Sequence, residues 1–229
     1  MKRQFLFAAG IVMAGSLFLV SSCSKNDGDT TAPTVTLNGN SSQDVILNSS
    51  YTDLGATASD AEDGTVSVST NNPVNVDSAG TYTVTYTATD AAGNTGTATR
   101  SVRVYNESEG MAGSYLTVEN NVDSFYQDIS ASNTHNKRIV FSKFANYVNN
   151  NKIYANIVGN SVDMPQQVAV GIGPSGCTHT FTDLTGGNSL VQNQGKYTFS
   201  IKFTDQEANG GGNCPGTGLV TFEDVFVQQ

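Results

Sequence analysis

The segment Thr81–Thr89 restricts the fold more than any other part of this sequence. It alternates strictly, with Tyr82, Val84, Tyr86 and Ala88 on one side and threonines on the other. Successive side chains of a β-strand point to opposite faces, so this period of two predicts a strand with one buried and one solvated face. Such half-buried strands are typical of antiparallel sheets.

Further short strands are predicted on both sides of this segment. The dipeptide at 38–39, Asn-Gly, and the segments Asp60–Gly64 and Asp90–Asn94 are typical of turns. The predicted strands are Thr34–Gly39, Val45–Leu47, Val66–Val68 and Ala98–Val104. Short strands at regular spacing, with no amphipathic helix between them, predict a β-sandwich over residues 33–105.

The same segment resembles a known family. The run TYTVTYTATDAAGN from Thr81 to Asn94, with Ser101–Val104 and Asp53–Ala58, resembles the hyalin-repeat-like bacterial Ig-like domain of surface proteins. The resemblance covers residues 33–105. It implies an Ig-like sandwich that acts as a spacer or stalk and has no catalytic residues of its own.

A second β-rich unit is predicted over residues 111–229, after a short polar linker at 106–110. All phenylalanines beyond residue 22 lie in it, which indicates a larger aromatic core. Period-two alternation returns at Tyr197–Thr204, and Asn149–Asn151 is predicted to form a tight hairpin loop. The predicted strands are Tyr115–Glu119, Asp123–Ser130, Arg138–Phe144, Lys152–Val158, Gln167–Ile172, Thr178–Thr182, Gly195–Asp205 and Gly218–Val227.

Consecutive strands of this kind predict an antiparallel meander that is curled into a β-barrel or folded as a sandwich. The fold class is therefore all-β, with an Ig-like β-sandwich followed by this meander. Residues 111–229 also resemble the lipocalin-like lipoprotein domains of Gram-negative bacteria. That resemblance implies no assigned function.

The N-terminus predicts export. Lys2 and Arg3 precede the apolar stretch Phe5–Val20, which is shorter than the roughly 20 residues of a membrane-spanning helix. This pattern is typical of a signal peptide, here residues 1–22. Val20–Cys23 resembles the lipobox of bacterial lipoproteins, which implies cleavage before Cys23 and fatty acylation (palmitate) of its thiol. Residues 23–32 are polar and are predicted to form a flexible tether.

The residues after Cys23 bear on localisation. Ser24, rather than Asp, at the next position resembles lipoproteins that are sorted to the outer membrane, and Asp27 and Asp29 resemble an acidic surface-export signal. The expected location is therefore the outer membrane, on the cell surface.

Without the signal peptide the chain has 9 basic and 20 acidic residues, a net charge of −11. A chain this acidic, with no basic run, is not expected to bind nucleic acid.

Two cysteines remain after lipidation. Cys177 and Cys214 form an even pair in an oxidising compartment, so a disulfide is the default expectation. In the chain-entropy account a loop of this length stabilises the fold by about 3–4 kcal/mol. Free thiols, or a metal held by both cysteines and His179, are the alternatives, although no fourth metal ligand lies close by.

Few residues suggest a ligand site. Asp60, Glu62 and Asp63 are candidate Ca²⁺ ligands if a neighbouring loop adds further acids, and Asp90 is the obvious donor. A solvated turn explains the same residues, and no metal or other cofactor is expected. The best candidates for an exposed binding surface are three tyrosines that break or flank the alternation, with the edge of the core as their other explanation: Tyr126, Tyr147 and Tyr154.

No catalytic constellation stands out. The two histidines are His135, in a predicted loop, and His179, beside the expected disulfide; no nucleophile-elbow, zinc-protease or phosphate-loop spacing occurs. The sequence therefore predicts a lipid-anchored, non-enzymatic surface lipoprotein whose Ig-like spacer presents a binding domain for a glycan or a protein. The alternative is a structural or assembly lipoprotein of an outer-membrane complex. A hydrolase with an unfamiliar site is the third and weakest hypothesis.

Overall fold

The computed structural model describes residues 28–144, 147–172, 177–184, 188–207 and 219–229. Within these ranges the chain consists of eighteen β-strands and one 3-10 turn at Glu109–Met111. This confirms the all-β prediction. No helix of the described ranges is both long and apolar enough to cross a membrane.

The first seven strands form two sheets. One has the order β1-β3-β4, and the other has the order β2-β7-β6-β5 with β2 parallel to β7. The strands are β1 Thr34–Leu37, β2 Ser42–Ile46, β3 Ala56–Asp60, β4 Gly64–Val66, β5 Val68–Asn71, β6 Gly80–Thr89 and β7 Thr95–Tyr105. The two sheets enclose one hydrophobic cluster, and we call this unit the N-terminal sandwich.

Strand β6 confirms the alternation seen in the sequence. Val84, Tyr86 and Ala88 are buried, whereas the threonines between them are exposed or half-buried. Val84 and Tyr86 form one cluster with Val102 of the same sheet, and Val35 of β1 in the other sheet packs against it. One buried face of β6 thus holds the two sheets together through the hydrophobic effect.

A buried arginine connects the two sheets. Arg100 of β7 is fully buried, and its guanidinium donates hydrogen bonds to Asp53 Oδ1 at 2.5 Å and to the Tyr86 hydroxyl at 3.0 Å. It also donates to the main-chain carbonyls of Asn38 at 2.7 Å and Asn40 at 3.0 Å. A charge taken out of water requires such a full set of partners. Burial and the hydrogen bond to the Asp53 carboxylate raise the pKa of Tyr86 to about 12, so it stays a neutral donor.

The remaining strands belong to a single eleven-stranded sheet, which we call the C-terminal half-barrel. Its order is β13-β14-β17-β18-β8-β9-β10-β11-β12-β15, with β16 paired to β17. The strands are β8 Gly113–Glu119, β9 Asp123–Ala131, β10 Arg138–Phe144, β11 Tyr147–Val158, β12 Ser161–Asp163, β13 Gln167–Ile172, β14 Cys177–Asp183, β15 Asn188–Ser189, β16 Val191–Asn193, β17 Lys196–Glu207 and β18 Leu219–Gln228.

The sheet curls until β13 approaches β11. The Gln167 side chain accepts a hydrogen bond from the Tyr154 main-chain N–H at 2.9 Å and donates one to the Tyr154 carbonyl at 2.6 Å. Curling encloses an aromatic core, as the sequence predicted; its phenylalanines are Phe141, Phe144, Phe181, Phe199, Phe203 and Phe226. The strand order is a meander only from β8 to β12, because the last strand, β18, returns beside β8.

One predicted loop of this unit is wrong. Asn149–Asn151 lies inside β11 rather than in a hairpin turn. Phe141 pairs with Ile153 and Lys143 pairs with Val148, so residues 149–152 face the single residue 142 on β10. An irregularity of this kind accommodates extra residues within a strand, and an asparagine run therefore does not have to end one.

Candidate functional site

The two units meet at a buried asparagine, which with its partners we call the joint. Asn106 is 2% exposed. Its side-chain amide donates to the carbonyls of Ser132 at 2.8 Å and His135 at 2.9 Å, both on the C-terminal half-barrel side. Its Oδ1 accepts from the N–H groups of Ser108 and Lys137, each at 2.9 Å. The residues predicted as a polar linker are thus hydrogen-bonded into the second unit.

Loops of the N-terminal sandwich add to the joint. The Asn48 side chain donates to the Thr134 carbonyl at 3.2 Å and accepts from the Asn136 N–H at 2.9 Å. The Ala79 N–H donates to the Asn133 carbonyl at 2.8 Å. Two segments of the sandwich, around residues 48 and 79, and the connection at residue 106 therefore contact one loop of the half-barrel between β9 and β10. Several directional bonds at one place fix the relative orientation of the two units.

Carboxylates gather at another place on the N-terminal sandwich. Asp29, Asp60 and Asp90, which we call the acidic cluster, have ligand oxygens within 4.8 Å of one another. The turn Asp90–Asn94 holds Asp90, whose Oδ1 accepts from the Gly93 and Asn94 N–H groups at 2.6 and 2.7 Å. The Asn94 side chain donates to the main-chain carbonyl of Asp29 at 3.1 Å, which brings the predicted tether to the cluster.

The electrostatics of the acidic cluster favour ionised carboxylates. Burial opposes ionisation of Asp90, but hydrogen bonds from Asn94 and Gly93 outweigh it and lower the pKa below its usual range. Oδ1 of Asp60 accepts from the Glu62 and Asp63 N–H groups, whereas its buried Oδ2 has no hydrogen-bond partner within the described ranges. Mutually close carboxylates repel each other, and a hard cation such as Ca²⁺ relieves that repulsion through oxygen ligands.

The fold brings together only some of the calcium-ligand candidates that the sequence suggested. Asp60 belongs to the acidic cluster and Asp90 is the second donor, as the sequence suggested, but Glu62 and Asp63 are exposed. The Asp63 carboxylate instead accepts from the Ala91 N–H at 2.7 Å, which ties the two turns together. Sequence reasoning missed Asp29 as a ligand candidate, because it lies about 30 residues before Asp60 in a polar segment without periodicity.

We expect Ca²⁺ to stabilise the N-terminal sandwich if the acidic cluster binds it. At about 100 times the dissociation constant, a ligand specific to the folded state stabilises by about 2.7 kcal/mol, which is several degrees of melting temperature for a unit of this size. Asp29→Asn should remove most of this shift without touching a sandwich strand. Differential scanning calorimetry with Ca²⁺ and with EDTA measures it.

The matched control is Glu62→Gln, which removes an exposed carboxylate beside the acidic cluster and should keep the full calcium shift. If saturating Ca²⁺ does not change the melting temperature of the original sequence, the acidic cluster does not bind the ion and its carboxylates belong to solvated turns. Equal shifts in both variants would place the ion elsewhere.

The candidate binding tyrosines differ in how far their side chains are exposed to solvent. Tyr126 on β9 is 64% exposed. Tyr154 on β11 is half-buried, and the Arg138 guanidinium carbon lies 3.8 Å from the centre of its ring, so this face is covered. Tyr147 begins β11, and its side chain lies outside the described residues. Of the two tyrosines described, Tyr126 alone offers an open aromatic surface, and its role stays a prediction.

The remaining candidates divide between surface, core and undescribed segments. His135 is exposed in the loop before β10, whereas His179 of β14 is 3% exposed and stacks on Phe181 with ring centres 6.1 Å apart. Cys23 and Cys214 lie outside the described residues, as does the side chain of Cys177. Lipidation and the disulfide therefore stay predictions.

Comparison with protein families identifies the first unit. Residues 35–104 match the family described as "Bacterial surface protein, Ig-like domain". The N-terminal sandwich is a bacterial Ig-like domain. The match confirms the Ig-like resemblance in the sequence and ends one residue before β7 does. No curated protein matches the chain.

Two solved structures resemble the chain at low similarity. The lipoprotein BT2262 of Bacteroides thetaiotaomicron is 15% identical with a TM-score of 0.32, over 86% of this chain and 100% of that chain. The second is the structure of the CBM51-2 domain in complex with GlcNAc and INT domains from ZmpB of Clostridium perfringens. It is 16% identical with a TM-score of 0.27, over 86% of this chain and 44% of that chain. Similarity this low carries no argument about function.

Proposed function

We propose that this chain is a lipid-anchored bacterial surface protein in which the N-terminal sandwich is a spacer and the C-terminal half-barrel is a non-catalytic binding domain. The proposed order is a signal peptide at 1–22, a tether at 23–32, the Ig-like spacer at 33–105, a connection at 106–110 and the binding domain at 111–229. The family match supports the surface location, because its description names bacterial surface proteins, and the spacer role is what the Ig-like resemblance implies.

The observation that carries the proposal is the joint. A spacer presents a second domain in a defined direction only if the two units are fixed to each other, and a buried asparagine with four bonds at 2.9 Å or less does this. Domains of one chain usually keep considerable relative freedom, because interfaces between them are small and polar. A connection this closely hydrogen-bonded favours presentation over independent movement.

The absence of an assembled reactive group in the described ranges favours binding over catalysis. The buried His179 stacks in the core, and the exposed His135 interacts with the neighbouring Thr134 hydroxyl at 2.9 Å. Tyr126, by contrast, projects from the outer side of the half-barrel, where a protein or a glycan would reach it.

Replacement of Cys23 by serine tests the anchor. We expect Cys23→Ser to lose the acyl mass on the N-terminal peptide and to move the protein from the membrane to the soluble fraction, because no other anchor is proposed. Each buried methylene of an acyl chain contributes about 0.8 kcal/mol to membrane binding, so two or more chains hold the protein permanently. Mass spectrometry and membrane fractionation provide the readouts.

Asn26→Ala, a change in the same polar segment, serves as the control and should stay acylated. Antibody labelling of intact cells then reports surface exposure. A mature protein without acyl mass, or one that labels only after the outer membrane is opened, would contradict the proposed anchor or its surface orientation.

A further inference from the structure

A cleft of about 510 Å³ opens beside the joint. Glu107 and Ser108, which directly follow the joint asparagine, form one wall, and strands or turns of the half-barrel form the rest. Its volume lies within the range of about 300–1,000 Å³ that is typical of small-molecule sites. None of the candidate residues from the sequence lies in it, because its walls are far apart along the chain.

The cleft combines apolar and polar surface. Met111, Ile157 and Leu190 line it together with the half-buried ring of Tyr197. Amide side chains of Asn160 and Gln192 line it as well. More of the exposed lining is polar than apolar, and such a surface suits a ligand that carries many hydroxyls and a smaller apolar face.

The charges in the cleft cancel. Lys137 Nζ lies 3.5 Å from Glu107 Oε2, and the same carboxylate oxygen accepts from the Asn136 amide at 2.7 Å. A free anion would therefore meet a neutralised ammonium group, and a cation would meet a neutralised carboxylate. The electrostatics favour a ligand that carries no net charge.

One lining residue carries a buried hydroxyl that has no partner within the part of the chain that the structure describes. Ser108 is 3% exposed, and its Oγ has no hydrogen-bond partner among the described residues. A buried polar group left unsatisfied is unfavourable by about 1–3 kcal/mol. This oxygen has almost no accessible surface, so a ligand contacts Ser108 through the rest of the residue and not through its hydroxyl. Lys137, another lining residue, is held in place: its φ of 55° is left-handed, its N–H donates to Asn106 Oδ1, and its carbonyl accepts from the Ile157 N–H.

We propose that this cleft binds a neutral saccharide unit. This inference rests on the proposed binding function and assigns it a place and a ligand class. A neutral sugar has hydroxyls that both donate and accept, which matches two amides, a carboxylate and an ammonium group. Its carbon-bound hydrogens form apolar faces, which match the smaller apolar part of the lining, the Tyr197 ring included. The ligand would touch the connection and the half-barrel together.

A glycan array probed with the full chain tests the ligand class. We expect binding to neutral glycans and none that depends on sulfate, phosphate or carboxylate groups. The strongest neutral glycan then goes to titration calorimetry with Gln192→Ala and Asn160→Ala, two exposed side chains whose removal does not disturb the core. Each is expected to weaken binding about ten-fold, the effect of one lost hydrogen bond to a ligand.

Asn193→Ala is the matched control. Asn193 neighbours Gln192 on β16 but projects to the opposite face, so its removal should leave affinity unchanged. If no glycan on the array is bound, or only charged glycans are bound, the saccharide proposal is wrong. The display role is tested separately, by acylation and surface labelling. If a neutral glycan binds with the same affinity to both cleft variants and to the original sequence, the cleft is not the site, although the binding function stands.

Discussion

Asp53→Asn is expected to destabilise the N-terminal sandwich by about 3–5 kcal/mol, because it leaves the Arg100 charge buried without its counter-charge. Arg100 is 1% exposed at its side chain and Asp53 is 16% exposed, so water cannot replace the lost carboxylate at the guanidinium. The same carboxylate also accepts from the Tyr86 hydroxyl. Hydrogen exchange of β6 and β7 amides in urea measures the loss, and half-barrel amides provide an internal reference.

Asp44→Asn is the matched control, since Asp44 also faces an arginine but in solvent. Its carboxylate lies 3.7 Å from Arg103, and both side chains are about half exposed. Exposed pairs contribute about 0–1 kcal/mol, so this variant should be close to the original sequence. Equal protection in the two variants would mean that the buried pair does not hold the sheets together.

The same pair gives the sandwich a pH dependence of known sign. Burial opposes ionisation of Asp53, but hydrogen bonds from Tyr86 and Gly55 and the Arg100 charge outweigh it and lower its pKa below the ordinary value of about 3.8. A carboxyl whose folded pKa is depressed stabilises the fold above the unfolded pKa. That contribution is lost as the pH falls below about 4, and Asp53→Asn should remove this part of the acid transition.

Side-chain periodicity explains which strands could be predicted. β6 and β17 were found because large apolar and hydroxyl residues alternate over many positions, and their buried faces are those expected. β3 was missed because Ala56–Asp60 contains no large apolar residue, and β12 because three residues are too few to show a period. Such strands form only because a neighbouring strand offers main-chain partners.

The sites depend on contacts that a sequence does not display. The acidic cluster brings together Asp29, Asp60 and Asp90, which no local pattern connects. The cleft likewise joins residues from five separate segments. Arg100 can be recognised from the sequence, because it lies on the same buried face of β7 as Val102 and Val104. A charge on a buried face requires a partner. The partner itself, Asp53, could be named only from the fold.

Asn106→Ala is expected to loosen the connection between the two units while leaving each unit folded. The change removes the partner of two carbonyls and two N–H groups at the joint, and each buried group left unsatisfied costs about 1–3 kcal/mol. It also removes the acceptor that helps to hold Lys137 in its left-handed conformation, a conformation that persists only where the surroundings fix it.

Distances between spin labels at exposed positions 70 and 122, one on each unit, measure this loosening when the labels are carried by genetically encoded amino acids that leave the cysteines untouched. The original sequence should give one narrow distance distribution and Asn106→Ala a broad one. Asn40→Ala is the control, because Asn40 bonds Arg100 through its main-chain carbonyl, which the change keeps. If Asn106→Ala stays as narrow as this control, the joint does not fix the orientation. The spacer would then hold the binding domain near the surface without directing it.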